Sequence, residues 1–369
     1  MKIADALIKV KRAGKIKTSE YEDEGDFPVI DQGAGHYAGY SNRADLVHYS
    51  PLPIVIFGDH TRRVKIAKEP FICGADGTQL LYPNDQFDPI FFYYAVKNVD
   101  LSDYAYARHY KFLKEQEIPV PEMSMQKKIA GILSTYDDLI ENNLKQINLL
   151  EEMVQITYSE WFAYLRFPNH ELVAIDPVSS LPEGWERKKV GSLLAKVTKS
   201  KKIQSSSFLS SGSIPIIDQS RDFVAGYTDD VEALLDMGQP LIVFGDHTRI
   251  LKFITFPFAR GADGTQVILS NNPRMPQHLL YFSLIALDLS NYHYARHFKF
   301  LKESEIVLPT EDVAEKFEIY SKDKFALIQQ LRQQNNLLQE ARDILLPRLM
   351  TGVINVESYD PAGLLKEAA

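Results

Sequence analysis

Two copies of the hexapeptide Phe-Gly-Asp-His-Thr-Arg, at 57–62 and 244–249, hold the side chains best placed for chemistry. Each is followed by Gly-Ala-Asp-Gly-Thr-Gln, at 74–79 and 261–266. Asp59, His60 and Asp76, mirrored by Asp246, His247 and Asp263, offer carboxylate and imidazole ligands to a divalent cation, as in a metal-dependent nuclease. Three ligands do not specify a metal, and an Asp after Gly is also a turn residue that bonds its own backbone. In a third reading, His60, Thr61 and Arg62, with His247, Thr248 and Arg249, are base-reading side chains on a loop, since an arginine can fork onto guanine. Gln79 and Gln266 suit either adenine edges or polar strand positions. The residues alone leave these readings open, and no metal site is assigned.

A second set of candidates is basic. Arg62, Arg63, Lys65 and Lys68 follow the first hexapeptide. Arg108, His109, Lys111 and Lys114 recur as Arg296, His297, Lys299 and Lys302, beside Tyr104, Tyr106, Tyr110, Tyr292 and Tyr294. Lys9–Lys17 and Arg187–Lys202 are further basic stretches. Cations beside aromatic rings suit contact with a phosphate backbone; the plain alternative is a solvated surface. The formal net charge is −8, but the acids lie in other stretches, and clustering rather than the total decides what a surface attracts.

Other chemistries are missing. The chain has no GxxxxGK[ST] loop, no GxGxxG after a strand, no GxSxG elbow and no Asn-Pro-Pro-Tyr-type methyltransferase motif. A single cysteine, Cys73, excludes an internal disulfide and a Cys-rich zinc site. No apolar run of about 18 residues exists to span a membrane, and the first residues lack a long apolar secretion core, so the cytoplasm is expected. The chain reads as a reader rather than a catalyst.

The elements that must position these residues come from duplication. The hexapeptides are 187 residues apart, and YAYARHYKFLKE at 104–115 returns as YHYARHFKFLKE at 292–303 with ten of twelve positions identical. PVIDQ (28–32) echoes PIIDQ (215–219). With 369 residues and roughly 150 per domain, the period means two tandem units rather than a solenoid. Within each, LPIVIFGDH and QPLIVFGDH read as buried strands ending in a turn, and FDPIFFYYAVKNV and QHLLYFSLIALDL as apolar helices. The class is mixed α/β.

Each unit ends in a long helix. Ile129, Leu133, Tyr136, Ile140, Ile147, Leu150 and Val154 are spaced by threes, fours and sevens, with Asn143, Thr157 and Trp161 on the same line. This is a heptad seam of about five heptads, on a rod of roughly 55 Å. Ile328, Leu331, Leu338, Leu345 and Leu349 form the second seam, around Asn335. A long apolar stripe needs a partner. Connectivity then predicts two pseudo-twofold-related globules separated by two long antiparallel coiled-coil helices. The boundaries are 1–121 (first recognition domain), 122–166 (helix), 167–309 (linker and second domain), 310–352 (helix) and 353–369 (tail).

The helix starts IPVPEMSMQKKIAGILSTYDDLIENN and IVLPTEDVAEKFEIYSKDKFALIQQL, the close LLPRLMTGVINV and the doubled plan resemble the specificity (S) subunit of type I restriction–modification systems, over nearly the whole chain. The resemblance implies that each globule is a target-recognition domain for one half of a bipartite double-stranded DNA site. The helices set the half-site spacing and bind two modification (M) subunits, which use S-adenosylmethionine to methylate adenine. Restriction (R) subunits, where present, cleave using ATP and magnesium. The S subunit itself is non-catalytic and binds no cofactor. The DNA-contact candidates are His60, Thr61, Arg62, Arg63, Lys65, Arg108, His109, Lys111, His247, Thr248, Arg249, Arg296, His297 and Lys299. Because the candidate reading loops nearly coincide, a near-palindromic target is expected, its half-sites about one helical turn apart. The alternatives are a stand-alone DNA-binding protein, a coiled-coil adaptor and the metal-dependent nuclease.

Two departures from the pattern carry expectations. Met1 aligns with Lys188, so the first unit lacks a counterpart of LPEGWER (181–187), and Gly352 to Asp360 are expected to pack there. Val313 and Phe317 replace the Gln-x-x-Ile-Ala pattern at the second helix start, which makes the two M-binding surfaces unequal.

Overall fold

The computed structural model describes all residues except 12, 76, 105–107, 199, 263, 290–295 and 357–369. The chain divides into two compact units, residues 1–142 with 334–369, and residues 143–333. The statements below concern each unit by itself.

In the first unit, strand Ile54–Gly58 lies between Thr78–Pro83 and Val64–Ala67, antiparallel to both, with Leu7–Ile8 at the edge beside Thr78–Pro83. The strand is buried throughout, and its pleat divides it between two cores. Val55 and Phe57 face the helix Pro89–Lys97 and its neighbours. Ile54 and Ile56 join Ile30, Phe71, Cys73 and Leu80. These last residues come partly from a second sheet, in which Phe27–Ile30 runs parallel to Phe71–Cys73. An apolar run with no polar alternate is what a strand covered on both faces requires. Asp88 caps the Pro89–Lys97 helix by accepting from the Ile90 and Phe91 amides.

The second unit repeats this plan. Leu241–Gly245 pairs with Leu251–Ile254 and Thr265–Ile268. Ile214–Ile217 runs parallel to Phe258–Gly261. Ile242 and Phe244 face one core, Leu241 and Val243 the other.

The long helices run Met123–Tyr158 and Glu311–Met350. Parts of both enter each unit. In the first unit Arg342 pairs with Asp137, and Asn335 Nδ2 donates to the Ile140 carbonyl at 3.4 Å. In the second, Arg332 pairs with Glu151 at 2.9 Å, and Thr157 bonds the Tyr320 hydroxyl at 3.2 Å. Within each unit the two segments are therefore antiparallel. Ile129, Leu133, Ile140, Ile147, Val154, Ile328 and Leu331 are buried as their spacing requires, while Tyr136, Leu150, Leu338 and Leu345 are half-buried. The second seam also contains Ala314, Phe317, Phe325 and Leu346, all buried. Val313 and Phe317, the departures from the Gln-x-x-Ile-Ala pattern, are core residues of the second unit.

Gly352, at φ +71°, ends the second helix, as glycine does where the chain turns left-handed. Beyond it Val356 is buried and Ile354 packs against the first unit's core; residues 357–360 of the expected packing segment lie outside the described residues. In the second unit Leu181 and Trp185 of LPEGWER are core residues.

Candidate DNA-recognition surface

Each hexapeptide is a tight turn between two antiparallel strands. The Arg62 amide donates to the Gly58 carbonyl at 2.8 Å, and the Gly58 amide to the Arg63 carbonyl at 2.8 Å. Arg249 with Gly245, and Gly245 with Ile250, repeat both bonds. Arg62 and Arg249 sit at φ 59° and 63°, a backbone region sparsely used by residues other than glycine. Their guanidiniums also act locally: Nη1 donates to the Leu101 carbonyl at 2.8 Å in one unit and to the Leu289 carbonyl at 3.1 Å in the other.

Gln32 and Gln219, the last residues of PVIDQ and PIIDQ, hold the turns from the side. Gln32 Oε1 accepts from the His60 amide at 3.1 Å, and its carbonyl accepts from Thr61 Oγ1 at 2.8 Å. Gln219 does the same with His247 at 3.1 Å and Thr248 at 2.7 Å. Glycine is required behind the turn: a Cβ on Gly77 or Gly264 would collide with His60 and Gln32, or with His247 and Gln219. The echo of PVIDQ in PIIDQ was the available signal for these two glutamines, which were not among the site candidates.

The second motif docks on the first. The Asp59 carbonyl accepts from the His109 amide at 3.0 Å and from His109 Nδ1 at 2.9 Å, while Asp59 Oδ1 accepts from the Tyr110 amide at 2.7 Å. Asp246 repeats this with His297 at 3.0 and 2.9 Å and with the Phe298 amide at 2.8 Å. Because the acceptor is a carbonyl, Nδ1 carries the proton in both imidazoles. Asp59 and Asp246 are buried and engaged in this clasp, which places their roles in the turn; Asp76 and Asp263 lie outside the described residues.

The clasp brings the candidates together. His60, Thr61, Arg62 and Arg63 are exposed, and so are Arg108 and Lys111 beside them. In the second unit His247, Thr248, Arg249, Arg296 and Lys299 are exposed. Three candidates must be corrected. His109 and His297 are buried, held inward by the bonds just described. Lys65 is buried too: Nζ donates to the Gly35 carbonyl at 2.5 Å and lies 3.8 Å from Asp31. Lys252 of the second unit repeats this with Asp222 and Asp218, and burial lowers the pKa of both lysines.

The surrounding charge is thinner than the composition suggests. Lys188, Lys189 and Lys201 pair with Glu186, Glu303 and Asp230. Tyr104 stacks on Phe112 at 4.3 Å and accepts from Gln116. Lys114 and Lys302 lie over the Tyr110 and Phe298 rings. Tyr106, Tyr292 and Tyr294 lie outside the described residues. What remains is an exposed polar and cationic turn, rigidly backed, beside a second cationic segment. That arrangement suits a polyanion with readable edges. Among the described residues no cluster of His, Cys, Asp and Glu could hold a metal ion, and no helix is long and apolar enough to cross a membrane.

Comparison with known proteins gives the class. Residues 1–152 match the family described as the type I restriction modification DNA specificity domain. The chain is 27% identical over 326 residues to the type I restriction enzyme MjaIX specificity subunit of Methanocaldococcus jannaschii, covering 80% of this chain and 75% of that one. Among solved structures, the type I restriction–modification S subunit from M. genitalium aligns over 95% of both chains, at 18% identity and a TM-score of 0.48. The HsdS subunit from Thermoanaerobacter tengcongensis aligns over 96% of both, at 14% identity and a TM-score of 0.31. The chain is a relative of the specificity subunits of type I restriction–modification systems.

Proposed function

We propose that this chain is the non-catalytic DNA-recognition subunit of a type I restriction–modification complex. Each unit reads one half of a bipartite double-stranded site, and the long helices carry two M subunits. Those partners would supply S-adenosylmethionine chemistry at adenine, and R subunits, where present, would supply ATP- and magnesium-dependent cleavage.

The observation behind this reading is the exact recurrence of one built turn. His60–Arg62 and His247–Arg249 present the same side chains on the same scaffold of Gln, Asp and His, with Arg108 and Lys111 or Arg296 and Lys299 alongside. Two like readers joined by an internal duplication should read inverted repeats, so the target is near-palindromic, with half-sites about one helical turn apart. The test is a DNA-binding titration of the chain with and without the adenine methyltransferase encoded beside it. Weak binding alone that becomes tight and sequence-specific on addition of that partner is the expected result. Equally tight specific binding without the partner would indicate a stand-alone repressor, and no salt-dependent binding in either state would indicate an adaptor.

A further inference from the structure

One position separates the two scaffolds chemically. In the first unit Ile30 pairs with Cys73, and in the second the matching register pairs Ile217 with Arg260. Cys73 is a buried member of the apolar core between the sheets. Arg260 puts a guanidinium at that place. One of its donors is used, Nη2 to the Ser200 carbonyl at 3.2 Å. Its Nε is buried without a partner, as is the hydroxyl of Ser200. Among the described residues no carboxylate is within ion-pair distance of it; the neighbouring Asp218 accepts from Ser220 and lies 3.8 Å from Lys252. Burial lowers the Arg260 pKa, with no opposing charge to offset it. A desolvated guanidinium with unused donors is costly unless an anion completes it. Its planar fork fits the oxygens of a phosphate.

Its place in the fold points to the anion. Arg260 is next to last in strand Phe258–Gly261, and the chain continues into Gly264, whose carbonyl accepts from the Asp246 amide at 2.7 Å. Its strand partner Ile217 lies two residues before Gln219, which holds the His247 amide. Arg260 is thus at the end of the sheet that carries the His247–Arg249 turn.

We propose that Arg260 and the Ser200 hydroxyl form a phosphate site present only in the second unit, and that its ligand is a backbone phosphate of the DNA met by the neighbouring turn. This rests on the DNA-reading role proposed above. It adds that the two half-sites are held unequally, although the reading turns are alike.

The test uses the full chain and Arg260→Cys, a substitution that installs the residue the first unit already packs at this place; Arg260→Gln serves as a second variant. Binding to a labelled random-sequence duplex is measured by anisotropy across sodium chloride concentrations, with melting temperature alongside. The site predicts a log–log salt slope shallower by about one in both variants and a melting temperature no lower than wild type. Sodium sulfate, against chloride at matched ionic strength, should raise the melting temperature of wild type and not of the variants. An unchanged slope with a lower melting temperature would make the guanidinium structural and overturn the site. Sulfate stabilisation lost in the variants with an unchanged slope would show an oxyanion pocket that DNA does not use, which also overturns it. A wild type with no salt-dependent DNA binding would overturn the DNA-reading role itself and this assignment with it.

Discussion

The backbone carbonyl of Asp59 is 3.0 Å from the His109 amide and 2.9 Å from His109 Nδ1, so one oxygen fastens a strand-to-strand turn to a helix fifty residues later. The Asp59 carboxylate completes the clasp by accepting from the Tyr110 amide at 2.7 Å. Removing that acceptor leaves a largely desolvated N–H. Asp59→Ala should therefore cost about 1–3 kcal/mol of stability, measured by denaturant unfolding, with a similar loss for Asp246→Ala. Wild-type stability in both variants would show that the clasp is incidental.

Exposure separates the basic candidates. Arg108 is exposed beside the turn, whereas Lys65 is buried against Gly35 and Asp31. Arg108→Ala should weaken binding to all sequences and make the salt slope shallower by about one, as loss of a phosphate contact does. Lys65→Met should change the melting temperature and leave that slope alone. If the effects were exchanged, the surface would have to be redrawn on the other side of the sheet.

The contrast marks how far the sequence could be read. The duplication, the strand at Ile54–Gly58, the helix at Pro89–Lys97, both long helices and most of the first seam follow from apolar spacing and turn residues. The exposure of His60 and Arg108 follows from residue type. Type misleads at His109, His297 and Lys65, because polar side chains can be buried wherever backbone carbonyls satisfy them, and those carbonyls belong to a turn remote in sequence. Phe317 and Phe325 were missed because an aromatic core continues the second seam inside the second unit, where heptad spacing is no longer the only constraint. Gln126 belongs to the helix-start motif through which the family resemblance was drawn. In the structure it is a buried staple, accepting from the Asp88 amide and donating to the Gln86 and Pro121 carbonyls.

Gln32 and Gln219 touch the reading turns without being exposed candidates themselves. Gln32→Ala removes the acceptor for the His60 amide at an exposed site, so about 0.5–1.5 kcal/mol of stability is at stake. The larger effect should fall on sequence-specific affinity, because the His60–Arg62 backbone loses its lateral support. Binding of Gln32→Ala to the cognate duplex, compared with a scrambled one, tests this. A loss equal on both duplexes would mean that the turn contacts only phosphates.

The helix pairing inside the first unit rests partly on Arg342, Asp137 and Tyr94. Arg342 pairs with Asp137, and the Tyr94 hydroxyl donates to the same carboxylate at 2.7 Å. Burial beside Asp137 pushes the Tyr94 phenol far above its ordinary range, so it stays a donor. Asp137→Ala strands a half-buried cation and a hydroxyl together, and should cost on the order of 3 kcal/mol. Asp137→Ala combined with Arg342→Leu should recover much of it. Equal stability of the single and double variants would show that the pair contributes nothing.

The most direct test of the account is a map of N6-methyladenine in host DNA when this chain is co-expressed with the adenine methyltransferase encoded beside it. The account predicts a new two-part motif, present only with this chain, whose halves are inverted repeats about one helical turn apart. A motif with two unrelated halves would contradict the twofold reading of the turns, and no motif from a soluble, co-purifying pair would contradict the recognition role itself.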